Sequence, residues 1–288
     1  MKSNYPANFQ EISIWSKDHG ITPAQARERY AQYGVLRAIA NSHSLSDLLV
    51  FKGGNALDFV WMPNRSTRDL DFSARTSEGV TEAHLEKLFN GALGTVTNDL
   101  GTHYRVHSVK KNPPGPDRSF PTHVVTIGYA LPDDQRNRMA IQSGLHSRAT
   151  IQVEVSLNEP ICGTEPTEFD GAHPVSVATP EDIAAEKLRA LLQQIPRNRR
   201  RPQDLLDISV MLREKAGLDL GLISAFLLRK AEARDILAIK SAFLVSEIWE
   251  RASTGYEDLR ITSRGLFVPF EEAREVLLDL VSRLQIPD

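Results

Sequence analysis

The chain has 288 residues, 41% of them hydrophobic and 25% charged, with a net charge of −3. That length suits two modest domains or one with an appendage, the composition suits a soluble protein with a real core, and the net charge argues against a protein that coats nucleic acid. No apolar run approaches the roughly 20 residues that span a bilayer, and the first residues show no apolar signal core. Cys162 is the only cysteine, so no intrachain disulfide can form and a reducing cytoplasm is the expected setting. Its context, Pro160-Ile161-Cys162-Gly163, carries no signature of an activated thiol.

In chain order, Thr22-Pro23-Ala24-Gln25 predicts a helix start: a threonine cap, proline at the first position and glutamine three residues after the cap. That helix runs to about Ser42, with Ala26, Tyr30, Tyr33, Leu36 and Ala40 toward the core. Leu48 to Lys52 reads as a strand stopped by Gly53-Gly54, and Asn55 to Trp61 as the start of a short helix. A second strand is predicted from Arg68 to Ser73, then a Thr81-capped helix to about Leu93 with Leu85, Leu88 and Phe89 on one side. Strands follow at about 105–109 and 123–129, and Lys110-Lys111-Asn112-Pro113-Pro114-Gly115-Pro116 between them is excluded from regular structure. From Ala149 to Leu157, Ile151, Val153 and Val155 alternate with Gln152, Glu154 and Ser156, the pattern of a half-buried strand. Pro160 to Pro174 reads as a loop and divides the chain into domains 1–170 and 171–288. Beyond it the pattern is helical, at about 180–194, 203–214, 219–230, 233–252 and 271–284. The expected architecture is an α/β front half and a helical back half. In the latter, Leu266, Phe267, Val268 and Phe270 are either core or a partner surface.

The chemistry concentrates in Phe51-Lys52-Gly53-Gly54-Asn55-Ala56-Leu57 and Arg65-Ser66-Thr67-Arg68-Asp69-Leu70-Asp71-Phe72. On a strand, Asp69 and Asp71 share one face while Leu70 and Phe72 take the other. Paired carboxylates repel, and a divalent cation with oxygen ligands relieves them. Alone, an Asp-x-Asp pair more often marks a solvated strand end. Here a diglycine precedes it, where backbone amides can approach a phosphate, and Glu154 can add a third acid from another strand. Three carboxylates on adjacent strands can hold two cations about 3.5–4 Å apart, the clamp of an in-line nucleotidyl transfer. Asn55 either caps the helix after the turn or touches the nucleotide.

Lys187 lies in line with Ile183 and Leu191 on a helix opened by Thr179-Pro180-Glu181-Asp182, so an ammonium interrupts an apolar stripe. It either snorkels to the surface or serves as a phosphate-binding cation. Asp204 suits a helix first turn, and Asp207 lies one turn deeper. Arg197, Arg199, Arg200 and Arg201 form a basic knot between these helices, either a solvated loop or a site for phosphates. The eight histidines lack zinc-ligand spacing, no G-x-x-x-x-G-K-[ST] run occurs, and no serine has a histidine base in a recognisable motif.

Taken together, the hydrophobic–Gly-Gly run, Asp69-x-Asp71 and a later strand acid resemble the polymerase-β-like nucleotidyltransferase superfamily. The fuller motif Arg65-x-Thr67-x-Asp69-x-Asp71, followed by Lys187-Leu188-Arg189-Ala190 and Asp204-Leu205-Leu206-Asp207, is similar to the AbiEii/AbiGii abortive-infection toxins. The resemblance spans about residues 48–212. It departs in having Glu154 where an aspartate is common and fourteen residues between Gly54 and Asp69.

It implies a nucleotidyltransferase domain with a mixed α/β (α+β) sheet, and a helical C-terminal domain contributing Lys187 and Asp207 to a cleft. It implies Asp69, Asp71 and Glu154 as ligands of Mg2+ (or Mn2+), with Lys187 and Asp207 completing the catalytic set. Gly53, Gly54, Asn55, Arg65, Thr67 and Lys187 are the nucleotide-binding set it implies, with an NTP as substrate. RNA, as the 3′ end of tRNA, is the implied acceptor, a cognate antitoxin the implied partner, and no membrane is involved. The competing outcomes are nucleotidyl or phosphate transfer to a protein hydroxyl, and a non-catalytic nucleotide-binding module.

Overall fold

A computed structural model describes residues 4–65, 67–115, 119–215, 217–263 and 265–288. Ser66 of the acidic motif and Pro116 of the proline-rich stretch lie outside the described residues. The chain forms two compact units. One comprises Met1–Val60, Thr67–Glu159 and Glu165–Val177; the other comprises Trp61–Ser66, Pro160–Thr164 and Ala178–Asp288.

The first unit opens with α1 (Ile12–Asp18), α2 (Pro23–Ala40) and α3 (His43–Leu48). Helix α2 starts as its sequence dictates: Gln25 N–H donates to Thr22 Oγ1 at 3.2 Å, and Thr22 N–H donates back to Gln25 Oε1 at 2.9 Å. Strand β1 (Leu49–Lys52) is followed at once by α4 (Gly53–Ala56) and a π-helical turn (Leu57–Trp61). The helix therefore begins on the diglycine itself, two residues earlier than expected. Strand β2 (Leu70–Ala74), helix α5 (Glu82–Leu100), strands β3 (His103–Asn112) and β4 (Thr122–Ala130), helix α6 (Gln135–Gln142) and strand β5 (Thr150–Ser156) come next. Strands β6 (Thr164–Thr167) and β7 (Val175–Ala178) close the set.

Among the described residues, seven strands form one mixed sheet in the order β3-β4-β5-β2-β1-β7-β6. Strands β2 and β5 run parallel, as do β1 and β7, whereas β1 and β2 run antiparallel. The expected α/β architecture with a mixed sheet is thus the observed one. The Phe51 and Phe72 face of the sheet carries an aromatic core: their rings lie 5.1 Å apart, Phe51 and Phe59 6.1 Å, and Phe59 and Phe169 6.5 Å. Tyr33 of α2 stacks on Tyr5 at 4.6 Å. Such stacked and edge-on pairs add to the burial that drives the packing.

The second unit is helical: α7 (Pro180–Leu192), α8 (Pro202–Glu214), α9 (Leu220–Glu232), α10 (Ser246–Ser253) and α11 (Phe270–Arg283). Leu188, Leu191, Leu205, Leu206, Ile223, Leu227 and Leu277 are each fully buried within it.

Several expectations need correction. Strand β3 continues to Asn112, into the stretch excluded from regular structure, because only the prolines beyond it lack the N–H a ladder requires. The 160–174 loop contains β6. The expected helix over 233–252 exists only as α10 and a short 3-10 turn (Lys240–Leu244). Asp235 takes a left-handed φ of 54°, and Ile236 N–H returns to the Ala231 carbonyl at 2.9 Å, which closes α9. Helix α5 extends seven residues past Leu93, to Leu100, and stops at Gly101, whose φ is 62°.

Candidate active site

Strand pairing brings two of the predicted acids together. Asp71 of β2 is the register partner of Glu154 of β5 on one side and of Lys52 of β1 on the other. Register partners present their side chains on the same face. Lys52, Asp71 and Glu154 therefore form a row across three strands, opposite the face that buries Phe51, Phe72, Val153 and Val155. Strand spacing of about 4.8 Å sets the interval along that row. Lys52 also pairs with Glu159, whose carboxylate accepts from Ser73 Oγ at 3.3 Å.

The diglycine abuts this row. Gly53 has a φ of 73°, a conformation open to glycine, and a β-carbon there would fall 3.0 Å from both Cβ and Cγ of Asp71. The turn and the acid are packed so closely that only a hydrogen fits between them.

Asp69 stands one residue before β2, so strand alternation does not extend to it. It is half-buried, and burial pushes its carboxyl above the ordinary aspartate value against the opposing pull of Arg68. Asn55 is fully buried and neither caps α4 nor is exposed: its Nδ2 donates to the carbonyls of Asp69 at 2.7 Å and Thr67 at 3.2 Å. Thr67 Oγ1 is buried with no hydrogen-bond partner among the described residues.

Arg65, Lys187 and Asp207 meet within the helical unit. Lys187 is buried, not snorkelled, and its Nζ donates to Asp207 at 2.7 Å and to Asp204 at 3.0 Å. Arg65 Nε donates to the other oxygen of Asp207 at 2.9 Å. Burial works against ionisation of Asp207, yet the Arg65 and Lys187 charges outweigh it and hold the carboxyl below the usual range. Burial likewise disfavours the Lys187 ammonium, and Asp207 and Asp204 override it, so its pKa lies above the ordinary lysine value. The cluster is stable only as a charged whole.

Lys52 is a member of this face to which the sequence assigned no role, and Glu159, the acid that competes with Glu154 in the sequence, is its ion-pair partner. A lysine closing a buried strand was the available signal, since such an ammonium needs a counter-charge. Among the described residues no three His, Cys, Asp or Glu side chains stand at metal-ligand spacing. The donor chemistry of the Asp71–Glu154 pair, carboxylate oxygens on one polar face, nevertheless fits a hard divalent cation.

The sequence profile described as nucleotidyl transferase AbiEii toxin, type IV TA system, matches residues 35–276. The chain belongs to the AbiEii nucleotidyltransferase toxin family. Among solved structures, MenT4, a nucleotidyltransferase toxin from Mycobacterium tuberculosis, shares the fold with a TM-score of 0.61 at 17% identity, over 95% of this chain and 90% of that one. JHP933 from Helicobacter pylori aligns with a TM-score of 0.45 at 16% identity, over 86% of this chain and 88% of that one. No curated protein matches in sequence. As an AbiEii family member the chain is a nucleotidyltransferase toxin of a type IV toxin–antitoxin system. No helix among the described residues is long and apolar enough to cross a membrane.

Proposed function

We propose that this family member transfers a nucleoside monophosphate from an NTP to an acceptor hydroxyl on RNA, the 3′ end of tRNA being the acceptor the resemblance implies. The acceptor oxygen bonds to the α-phosphorus as the bond from that phosphorus to the bridging oxygen breaks, and pyrophosphate leaves. The observation that carries this reading is the placing of Asp71 and Glu154 side by side against the Gly53 turn.

Asp71 and Glu154, with Asp69 beside the strand, are the residues proposed to hold Mg2+ or Mn2+, which supplies charge neutralisation at the transferring phosphate. Glu154 takes the proton of the acceptor hydroxyl. Gly53 and Gly54 offer backbone amides to the triphosphate, and the orphaned Thr67 hydroxyl is the nearby side-chain donor. Lys187 is the cation proposed for the triphosphate, with Asp207 fixing it and Arg65 keeping Asp207 ionised. A cognate antitoxin is the proposed protein partner, and the cytoplasm the proposed place of action.

The test is incubation of the purified chain with Mg2+, total RNA and each NTP labelled in turn at the α- or the γ-phosphate. Label on RNA from the α- but not the γ-position is expected. Label confined to protein contradicts the RNA acceptor and indicates modification of a protein hydroxyl. Transfer of γ-label contradicts nucleotidyl transfer, and no label from any nucleotide contradicts an enzymatic reading.

A further inference from the structure

Immediately before β2, three consecutive backbone carbonyls are captured by two buried side-chain amides. Gln32 Nε2, on α2, donates to the Thr67 carbonyl at 3.0 Å and to the Arg68 carbonyl at 2.9 Å. Asn55 Nδ2, on α4, donates to Thr67 and Asp69. Both side chains are essentially sealed from solvent, Gln32 at 2% exposure and Asn55 at 0%.

A third buried group fixes the second amide. Arg29, one turn before Gln32 on α2, donates from Nη1 to Asn55 Oδ1 at 2.9 Å and pairs through Nη2 with Asp58 at 2.8 Å. Its guanidinium lies over the Phe59 ring, 3.3 Å from the centroid. Arg29 thereby divides its guanidinium between Asn55, Asp58 near the start of the π-helical turn and, through Nε at 3.3 Å, the Asn4 carbonyl.

Burying this much polarity in a helix face that packs on an aromatic core is costly unless every group is satisfied. A stretch of ordinary loop needs no such arrangement, since water serves its carbonyls. The stretch in question ends on Asp69 and leads directly into Asp71.

We infer that Gln32 and Asn55 are positioning residues for the acidic pair: their amides fix the 67–69 backbone, and with it the points from which Asp69 and Asp71 project. Arg29 orients Asn55 for that task. The inference deepens the nucleotidyl-transfer reading and rests on it for its functional meaning. Supporting partners of this kind are worth about 10–100-fold in metal affinity or activity.

The experiment compares the wild-type chain with Gln32→Leu and Gln32→Glu, each checked for a cooperative unfolding transition. It measures Mn2+ affinity by calorimetry, and kcat and KM for transfer of α-labelled nucleotide. A folded Gln32→Leu chain is expected to lose about 10-fold or more in Mn2+ affinity and in kcat, with KM for the nucleotide changed far less. Gln32→Glu keeps the volume but turns an acceptor toward two carbonyls. Its deficit should match or exceed that of Gln32→Leu at pH 8 and shrink relative to wild type as the pH falls, because a protonated carboxyl restores one donor.

Folded variants with Mn2+ affinity and kcat within twofold of wild type would overturn the inference and leave the amides as ties of the core. If the wild type binds Mn2+ but transfers nothing, the transfer reading fails and the Mn2+ ratio alone decides the positioning role. A wild-type chain that neither binds Mn2+ nor transfers overturns both.

Discussion

The Asp71 carboxylate occupies the space that a Gly53 side chain would need, with Asp71 Cβ and Cγ each 3.0 Å from where a β-carbon of Gly53 would stand. Gly53 also holds a φ of 73°. Two independent constraints, a left-handed backbone and a neighbouring acid, therefore select glycine at the same position.

Gly53→Ala is expected to lose about 1–2 kcal/mol for the backbone conformation alone and more for displacing Asp71. Gly20 provides the control, since its φ is 60° but nothing lies within 4 Å of its would-be β-carbon. Urea denaturation should show Gly53→Ala as the more destabilised of the two, and only Gly53→Ala should lose transfer activity. Equal destabilisation with full activity in both would remove the steric argument.

Asp69→Asn should stabilise the chain while impairing transfer. Burial raises the Asp69 carboxyl pKa in the folded state. A carboxylic acid whose folded pKa exceeds its unfolded value of about 3.9 binds its proton more tightly when folded, so stability declines as pH climbs from there through the folded value. The amide escapes that penalty. Thermal unfolding should give the variant the higher Tm at pH 7, with the gap narrowing toward pH 3. A lower Tm than wild type at pH 7 would contradict it.

The Lys187 cluster makes the opposite kind of contribution. Asp207 has a depressed carboxyl, so its stabilisation is present above about pH 3.9, the unfolded value, and is lost as pH falls through the folded one. Lys187 has a raised pKa, so its share is complete below about pH 10.4 and is lost only as pH rises through the folded value. Lys187→Met is expected to cost about 3–5 kcal/mol, because it removes the cation that Asp204 and Asp207 share and leaves Asp207 with Arg65 and Asp204 with only the 3.9 Å approach of Arg201. A loss below about 1 kcal/mol in chemical denaturation would show that the lysine is not the counter-charge its geometry indicates.

The arginine knot is an ordered loop. Buried Gln194 accepts from Arg201 N–H at 2.8 Å through its side chain and from Arg199 N–H at 2.9 Å through its carbonyl, and Arg251 Nη1 donates to Asn198 at 2.9 Å. Arg197, Arg199 and Arg200 are exposed on it. Replacing all three with glutamine is expected to weaken RNA binding and to flatten its salt dependence by up to about 2 in log–log slope, at about 0.7 per phosphate contact for a single strand. An unchanged slope would remove the loop from the acceptor surface.

Much of the sheet was legible because β1, β2 and β5 carry their burial in their residue types. Ile151, Val153 and Val155 alternate with polar neighbours, and that alternation also placed Glu154 on the polar face. The pairing of Glu154 with Asp71 rather than with Asp69 was not legible, since register depends on where β2 begins and Leu70, not Arg68, is its first residue. Gln32 and Arg29 left no local signal. Helix α2 is buried on nearly all sides, so its apolar stripe does not single out the buried polar residues, and the Gln32 amide acquires meaning only against carbonyls 35 and 36 residues away in sequence. The end of α9 was legible to within two residues, but the helix expected over 233–252 was not found, because apolar residues continue past Glu232 while the break at Asp235 is made by backbone conformation.

The central claim is that Asp71 and Glu154 act as one unit on the transferring phosphate. The direct test is the rate of α-label incorporation by Asp71→Asn, Glu154→Gln and the double variant, all confirmed as folded. Each single change is expected to reduce kcat by at least about 10²-fold, the scale of losing one preorganised catalytic group, and the double variant to be little worse than either, as for residues that act together. A Glu154→Gln enzyme that retains half the wild-type rate, or losses that multiply in the double variant, would contradict the account.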